Sequence, residues 1–542
     1  MIGLKAGPTR IAPPVVVAVL VAWCAVHLTL RLALVDVMEV DHVEQAVAAQ
    51  GFALSYGPRQ PPLYTWLQLA AFEAFGVGQI AFVALKYALV AAFLLLYYGA
   101  ARRLGMRGDV AALTVFSLSL LYQVGWKFHF GVTHTLLLSV AVAGAPFALA
   151  GALERPTPGR WALVGIVLGI GLMAKYGFAA YLLAFVCATA AVPTMRRAVS
   201  RAGLAAATGA LVVTAAPIAV FVAGRLGTVG AVYETTLTRG DPSIGEGLLA
   251  LALALAGFLA PLLVVVPAIY PRAFHAPVGE STTVSANSAD WDRWFRVFHV
   301  TIALILLGLV LFGGLAQFKE RWMHPFALLI PLWWFLRIDA LYRQARRRHR
   351  TLLAIIIAWS VFVLGYRIAL DSIGPPLCSG CRQFTPYSHL EDALEPRADE
   401  FVSFLVVDEH LAGNLRVRFP DHAVFTPRYP QLSPERFGFD RGGACALVWR
   451  AGKRPPPALT GDLWDRFGTR FPETTQIERV AVPLTVWRRR FPRWRADTPE
   501  PGAAFVWHYA VVRGCGAASP QARERTGQSS AADQPSRRSQ LR

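Results

Sequence analysis

The feature that most constrains this chain is a series of eleven apolar segments in its first 370 residues. Most of them approach the roughly 20 residues that an α-helix needs to cross a bilayer core. Of all 542 residues, 55% are hydrophobic and only 16% are charged, against about 25% charged residues in a soluble domain. The sequence therefore predicts a polytopic α-helical membrane protein and excludes a soluble enzyme, a disordered chain and a β-barrel. The segments are 11–35, 78–99, 109–125, 133–153, 161–174, 177–193, 203–224, 247–270, 297–316, 323–338 and 352–370.

The distribution of positive charge predicts the orientation of these spans. When the segments are threaded alternately through the membrane, one set of short connections holds 19 Lys and Arg residues and the other set holds seven. Cytoplasmic loops carry such an excess, so we expect a cytoplasmic N-terminus and an exported segment from about Asp371 onward. The first span is too long for a signal-peptide core and is expected to be retained. The net charge of +19 therefore reflects topology. A nucleic-acid partner is not expected, because no basic domain interleaved with aromatic residues is present.

The chain changes character after the last span. Residues 1–370 form the predicted transmembrane domain, and residues 371–516 carry frequent charges and short β-rich runs. The runs are Phe401–Val407, Cys445–Trp449, Val480–Trp487 and Ala504–Val512, with a helical stretch at Tyr387–Leu394. This pattern predicts a small extracytoplasmic α/β domain of normal size. Residues 517–542 have no apolar pattern and are predicted to be disordered.

Two cysteines stand close together just beyond the final span. Cys378 and Cys381 form a Cys-x-x-Cys pair, for which a disulfide is the default in an oxidising compartment. The bond could join the two residues to each other, or join them to Cys445 or Cys515. A redox-active site is not favoured, since a thioredoxin-like βαβ context is missing.

The outer loops hold most of the chemically reactive side chains. The first loop carries Asp41 and Glu44, the second carries His134, the third is the turn with Lys175, and the fifth holds Lys319 and Arg321. A carboxylate can take a proton from an acceptor hydroxyl, and Lys or Arg can hold a phosphate and stabilise charge on a leaving group. The pattern suits transfer of a group from a phosphate-linked donor.

The motifs in these loops resemble a known family. Asp41-His42-Val43-Glu44-Gln45 followed by Arg59-Gln60-Pro61-Pro62-Leu63-Tyr64-Thr65-Trp66 looks like the first extracytoplasmic loop of glycosyltransferase family 39. That family includes protein O-mannosyltransferases and bacterial aminoarabinose transferases acting on lipid A. Gly171-Leu172-Met173-Ala174-Lys175-Tyr176 is similar to its short Lys-Tyr turn, and Phe318–Pro325 resembles its later loop. Two positions depart from the family pattern, with His42 in place of an acid and no carboxylate beside Thr133-His134.

The resemblance implies a GT-C architecture of about eleven transmembrane helices, a polyprenyl-phosphate sugar donor and an acceptor reached from the outer side. It maps the catalytic acid onto Asp41, which is expected to act as the general base. Glu44, three residues later, would share a helix face with Asp41 and is expected to support it. The expected donor-phosphate ligands are Lys175, Lys319 and Arg321. The expected substrate-binding residues are Arg59, Gln60, Tyr64, Tyr176 and His134.

The sequence thus predicts an inverting membrane glycosyltransferase of the bacterial inner membrane that modifies a lipid, a lipopolysaccharide, another glycan or a protein of the cell envelope. Simpler interpretations stay open: Asp41 as a solvated loop acid, Lys175 as a snorkelling cation, or Lys319 and Arg321 as interfacial residues. No firm cofactor and no metal site are predicted, because His129, His134 and His324 with Asp41 lack zinc-ligand spacing; a divalent cation remains an alternative. The competing functions are a transporter or flippase for a lipid-linked saccharide and a non-enzymatic envelope scaffold. The spans do not favour transport, since polar groups gather at one end.

Overall fold

The computed structural model describes most of the chain and divides into two compact units. The described residues are 12–57, 59–223, 243–275, 286–342, 344–373, 382–427, 444–450, 452, 454–467, 470–483, 504–513 and 515. The first unit comprises residues 1–36 and 53–372, and the second comprises residues 37–52 and 373–542. The second unit therefore takes in a segment of the predicted first outer loop, which the sequence pattern alone did not indicate.

The first unit is built from helices, and every one of the eleven predicted segments is helical. Among the described residues, six helices are long and apolar enough to cross a membrane, namely α1, α4, α7, α11, α15 and α18. The polytopic helical fold predicted from composition is therefore confirmed. The helices of this unit are α1 Pro13–Leu34, α3 Leu63–Phe75, α4 Gln79–Arg103, α5 Gly108–Phe116, α6 Tyr122–Gly125, α7 His134–Glu154, α8 Pro158–Ala174, α9 Phe178–Ala191, α10 Pro193–Ala198, α11 Arg201–Ala223, α12 Ile244–Leu259, α13 Leu262–Ile269, α14 Arg272–His275, α15 Ala286–Leu311, α16 His324–Ala327, α17 Ile330–Leu341 and α18 Arg346–Ile373. Helix α2, Val40–Ala48, belongs to the second unit.

Three of the predicted spans are interrupted. The span at 323–338 consists of α16 and α17, and the interruptions of the other two spans meet. The span at 109–125 consists of α5, a 3₁₀ turn at Ser117–Leu120 and α6, whereas the span at 247–270 consists of α12 and α13. The Tyr122 amide donates to the carbonyl oxygen of Ala260 at 3.0 Å, and the Trp359 indole donates to the carbonyl oxygen of Ser119 at 2.9 Å. Irregular backbone at membrane depth is tolerated where protein satisfies its polar groups, and these bonds do so.

Helices α8 and α11 approach closely along a face of small residues. A Cβ atom on Gly165 would lie 2.0 Å from the carbonyl oxygen of Ala207, and one on Gly169 would lie 2.6 Å from Cβ of Thr214. Gly165 and Gly169 are spaced as in the small-xxx-small pattern that brings membrane helices together. The absence of side chains at these two positions sets the distance between the helices.

The second unit contains a five-stranded mixed sheet in the order β2-β1-β3-β5-β4. Strands β1, β2 and β3 are parallel, and β5 runs antiparallel to both β3 and β4. The sequence predicted four of the strands and α19, but not β2, α20 or α21, so the small α/β domain is confirmed with three additional elements. The elements are α19 Tyr387–Leu394, β1 Ser403–Val406, α20 Glu409–Arg418, β2 Ala423–Phe425, β3 Ala444–Arg450, α21 Pro457–Phe467, β4 Glu478–Pro483 and β5 Ala504–Arg513.

A disulfide closes one end of this sheet. Cys445 on β3 is bonded to Cys515, which follows β5, and their Cα atoms are 5.8 Å apart. Both side chains are buried in the core of the sheet domain with Leu405, Leu447 and Val512. The sequence had considered both cysteines only as partners of the Cys-x-x-Cys pair, and these two are bonded to each other instead. Cys378 and Cys381 lie outside the described residues.

Candidate functional site

Side chains from four separate segments of the first unit gather around His134, the first residue of α7. The ring of Tyr64, from α3, is 5.1 Å from the His134 ring between centroids. Lys175 lies within electrostatic range of both His134 and His324. The sequence placed three of these residues in one predicted site, and the structure brings Tyr64, His134 and Lys175 together and adds His324.

Lys175 owes its position to the end of α8. The helix ends at Ala174, and the Lys175 amide still donates to the carbonyl oxygen of Gly171 at 3.2 Å. A tight turn then leads into α9, with the Phe178 amide bonded to the Lys175 carbonyl oxygen at 3.0 Å. A cation at a helix C-terminus is favoured by the helix dipole, and the half-buried Lys175 side chain adds a positive charge beside two histidines.

His324 is fully buried at the start of α16, and its ring contacts two phenylalanine rings and one main-chain carbonyl group. Phe128 stacks on it at 5.4 Å between centroids, and Phe258 meets it edge-on at 5.0 Å. The Nδ1 atom lies 3.0 Å from the carbonyl oxygen of Arg321, a geometry that assigns the proton to Nδ1 and the lone pair to Nε2. Nε2 is buried with no hydrogen-bond partner among the described residues. The sequence considered His324 only as a zinc ligand, and its place after a cationic outer loop was the available signal.

The two cations of the predicted fifth outer loop belong to a 3₁₀ turn at Glu320–Trp322, with Lys319 just before the turn and Arg321 within it. Lys319 and Arg321 are both exposed, and the Lys319 ammonium is 5.5 Å from the centroid of the Trp322 ring. The main chain of the turn is held by the bond from the Trp322 amide to the Lys319 carbonyl oxygen at 2.8 Å. Through its carbonyl group Arg321 also holds His324, so the turn joins an exposed cationic surface to the buried histidine.

The remaining predicted substrate residues frame the start of α3 and the turn after α8. Arg59 is exposed and Gln60 is half-buried just before α3, whereas Tyr64 is fully buried. Tyr176 packs with Trp66 in a small apolar cluster. The Tyr176 hydroxyl oxygen is buried and has no hydrogen-bond partner in the described part of the chain, and burial raises the pKa of Tyr176 above its ordinary value. A neutral hydroxyl donor is therefore available beside the Lys175 turn.

In the second unit, helix α2 carries the two predicted catalytic carboxylates. Asp41 lies in its first turn and Glu44 follows three residues later, and both are half-buried. Residues three apart share a helix face, and an acid in the first turn is stabilised by the helix dipole. His42 and Val43 on the same helix are fully buried, which directs one side of α2 into the domain core.

A buried polar layer lies inside the first unit and was not predicted as such. Arg367 on α18 bonds to His27 on α1 at 2.6 Å and to the Tyr87 hydroxyl at 3.2 Å. His27 and His129 stack with their centroids 3.5 Å apart. Lys86 is fully buried and donates to the carbonyl oxygen of Phe130. Four segments of the chain are therefore tied together by polar contacts within the helical unit.

Within the described ranges, no group of three or more His, Cys, Asp or Glu side chains is arranged to hold a metal ion. The fourth outer loop, with Tyr233, Glu234, Arg239 and Asp241, lies outside these ranges.

Comparison with known proteins gives the family. Residues 59–220 match the dolichyl-phosphate-mannose-protein mannosyltransferase family. The lipopolysaccharide core galacturonosyltransferase RgtA of Rhizobium johnstonii is 30% identical over 471 residues, which covers 83% of this chain and 89% of RgtA. This chain belongs to the RgtA family of membrane glycosyltransferases. RgtB of the same organism, also a lipopolysaccharide core galacturonosyltransferase, is 30% identical over 478 residues, or 85% of this chain and 93% of RgtB.

The fold of this RgtA-family member matches a solved structure along nearly its whole length. ArnT from Cupriavidus metallidurans, solved with undecaprenyl phosphate bound, superposes with a TM-score of 0.58 at 13% identity, covering 94% of this chain and 100% of ArnT. The GT-C-like architecture expected from the loop motifs is therefore confirmed, and so is the assignment of the chain as a glycosyltransferase.

Proposed function

We propose that this glycosyltransferase moves a sugar from a polyprenyl-phosphate donor to a saccharide of the lipopolysaccharide core at the outer face of the bacterial inner membrane. The observation that carries the proposal is the gathering of Tyr64, His134, Lys175 and His324 at the loop ends of four segments. The printed activities of RgtA and RgtB favour galacturonic acid as the sugar and the lipopolysaccharide core as the acceptor. The undecaprenyl phosphate bound by ArnT favours a lipid phosphate donor.

In the proposed reaction the Asp41 carboxylate takes the proton of an acceptor hydroxyl as its oxygen attacks the anomeric carbon. A new glycosidic C–O bond forms, the bond from the anomeric carbon to the phosphate oxygen breaks, and polyprenyl phosphate leaves with both bonding electrons. Displacement in one step inverts the anomeric centre. Glu44, on the same helix face as Asp41, supports the negative potential at the base.

The charge that develops on the departing phosphate requires fixed cations. Lys175 is half-buried near His134 and His324, and Lys319 and Arg321 are exposed at the 3₁₀ turn. We assign these three side chains to the donor phosphate, and Arg59, Gln60, Tyr64, Tyr176 and His134 to the sugars. The uneven distribution of Lys and Arg between alternate connections supports a cytoplasmic N-terminus and a periplasmic C-terminal domain.

Asp41→Asn tests the base. In proteoliposomes containing polyprenyl-phosphate galacturonic acid and purified lipopolysaccharide core, transfer by this variant should fall about 10²- to 10⁴-fold, the usual worth of a positioned general base. Asp36→Asn is the matched control, since Asp36 is an exposed acid just before the same loop, and it should keep full activity. Full activity of Asp41→Asn would remove Asp41 from the mechanism.

Lys175→Met tests the phosphate site. The donor KM should rise at least tenfold and Lys175→Arg should recover part of the loss, because the charge is retained. Lys127→Met is the control, since Lys127 is another loop cation and lies 5.6 Å from the centroid of the Tyr122 ring. An unchanged donor KM in Lys175→Met would exclude Lys175 as a phosphate ligand. Mass spectrometry of lipopolysaccharide from cells with and without the gene identifies the sugar and its acceptor.

A further inference from the structure

The helix that carries Asp41 is joined to the C-terminal domain by specific contacts. The Met38 amide, two residues before α2, donates to Oδ1 of Asn414 on α20 at 2.8 Å. Nδ2 of Asn414 in turn donates to the carbonyl oxygen of His410 at 2.7 Å. Asn414 is nearly fully buried, so its amide group satisfies main-chain atoms of two segments that are far apart in the sequence.

Helix α20 also packs closely against α2 at Gly413, which has no side chain. A Cβ atom on Gly413 would lie 2.3 Å from Cβ and 2.4 Å from Cα of Val43. Real Cβ atoms do not approach other carbons so closely, and the second of these contacts is with main chain, which cannot rotate away. Only glycine at position 413 permits the observed packing of α20 against α2.

The far end of the segment is fixed to the sheet. Gln50 donates through Nε2 to the carbonyl oxygen of Val424 at 2.8 Å and accepts from the Val424 amide at 2.7 Å. Val424 lies on β2, the edge strand of the sheet. The neighbouring Ala423 amide faces the β1 side, where it donates to the carbonyl oxygen of Val402, the residue before β1. At the open edge of the sheet, the Gln50 side chain thus bonds the main-chain amide and carbonyl groups of Val424 that a further strand would otherwise pair with.

These contacts matter because α2 has only nine residues. An isolated helix of fewer than about 12–15 residues is marginal in water, so the direction of α2 depends on what it packs against. A general base must come within about 2.6–3.2 Å of the proton that it takes, and a displacement near 1 Å can cost about 10²-fold in rate.

We propose that the C-terminal domain positions the general-base helix, and that Asn414, Gly413 and Gln50 are its positioning residues. This inference rests on the proposed role of Asp41. In this arrangement the C-terminal domain supports catalysis by holding α2, and with it Asp41, in place.

Gly413→Ala is the principal test, with Gly461→Ala as its matched control. Gly461 lies on α21 of the same domain, and a Cβ atom there meets nothing within 4 Å. In the full-length enzyme, Gly413→Ala should lower kcat about 10- to 100-fold, leave the donor KM within twofold and speed hydrogen exchange in residues 37–52. Gly461→Ala should change none of these quantities.

Asn414 provides a second and milder test. Asn414→Leu removes the acceptor of the Met38 amide and should lower kcat with faster exchange at residues 37–52, whereas Asn414→Asp keeps an acceptor oxygen and should restore part of both. Rescue by aspartate distinguishes positioning from a general loss of stability. Should Gly413→Ala fail to fold, the Asn414 pair and Gln50→Ala carry the same test.

Two results would overturn the inference. One is a normal kcat in Asn414→Leu or Gly413→Ala although hydrogen exchange in residues 37–52 is faster. In that case greater mobility of α2 would have no effect on the rate of transfer. The other is unchanged exchange in those residues, because the contacts would then not hold α2. Failure of the base assignment is distinguishable, since only that failure leaves Asp41→Asn fully active.

Discussion

The guanidinium group of Arg367 on α18 lies 2.6 Å from Nδ1 of His27 on α1, and neither residue is exposed by more than 1%. Arg367 also lies 3.6 Å from the buried carboxylate of Asp371, one helical turn away. A charged side chain within apolar helices is costly unless it is partnered. The pairing therefore holds the first and last helices of the first unit to each other.

Arg367→Met should destabilise the protein strongly. The substitution leaves the Asp371 carboxylate and His27 without their buried partner, and breaking such a pair costs about 3–5 kcal/mol. The measurement is thermal unfolding in detergent. Arg350→Met, at an exposed position on the same helix, is the control and should leave the unfolding temperature nearly unchanged; equal shifts in the two variants would refute the role given to Arg367.

The contact between α8 and α11 makes a second prediction. Gly165→Ala places a methyl group against the carbonyl oxygen of Ala207, which belongs to the main chain, so the helices must separate at a cost of about 1–3 kcal/mol. Gly209→Ala, on α11, meets nothing within 4 Å and should be neutral or slightly stabilising. Differential scanning fluorimetry of the two variants tests the prediction, and a neutral Gly165→Ala would contradict it.

The disulfide between Cys445 and Cys515 should stabilise the C-terminal domain. It joins residues 70 positions apart, and loss of such a native bond typically costs about 2–5 kcal/mol. Cys445→Ser and addition of reductant should therefore lower the unfolding temperature of this domain to a similar extent. Cys187→Ser removes a half-buried free thiol and should not. A domain that is indifferent to reductant would show that the bond does not contribute.

Acidification should weaken the C-terminal domain through His410. Burial lowers the pKa of His410 below its ordinary value, an effect that Asp408 opposes and Arg382 reinforces, and Nδ1 of the ring is 2.8 Å from the Tyr387 hydroxyl oxygen. The unfolded state binds a proton from about pH 6.5 downward, whereas the folded state resists it. Stability should therefore be complete above pH 6.5 and fall as the pH decreases toward the folded pKa.

Unfolding midpoints at pH 7.5 and at pH 5.5, compared between the native chain and His410→Gln, measure this contribution. The variant should lose less stability on acidification than the native chain, because it has one fewer group to protonate on unfolding. Burial also lowers the pKa of His508. Because His508 is present in both proteins, its contribution to the pH dependence cancels in the comparison. Identical losses in the two proteins would exclude His410.

The spans could be predicted from the sequence because the requirement for them is local. About 20 consecutive apolar residues satisfy the bilayer wherever the rest of the chain goes, and the helix at Tyr387–Leu394 and four strands were equally evident from local patterns. The breaks at Leu121 and Ala260 were not, since they are joined to each other by the main-chain bond from Tyr122 to Ala260. A local pattern carries no information about such a partner.

The grouping of candidate site residues could be anticipated from the sequence only in part, for the same reason. The loop motifs identified Tyr64, His134 and Lys175, and the structure groups them. His324 and Arg367 were missed because each is a single polar residue in or beside an apolar run, and only their tertiary partners show what they do. The membership of residues 37–52 in the second unit depends on Asn414 and Val424, more than 370 positions away.

The inclusion of residues 37–52 in the sheet-bearing unit has a practical consequence. A fragment starting at residue 373 would lack the peptide that fills the groove at Gly413 and covers the main chain of Val424. The bare edge of β2 would then be open to pairing between copies, as exposed edge strands are. A soluble version of this domain should therefore be built by grafting residues 37–52 ahead of residue 373 through a flexible linker.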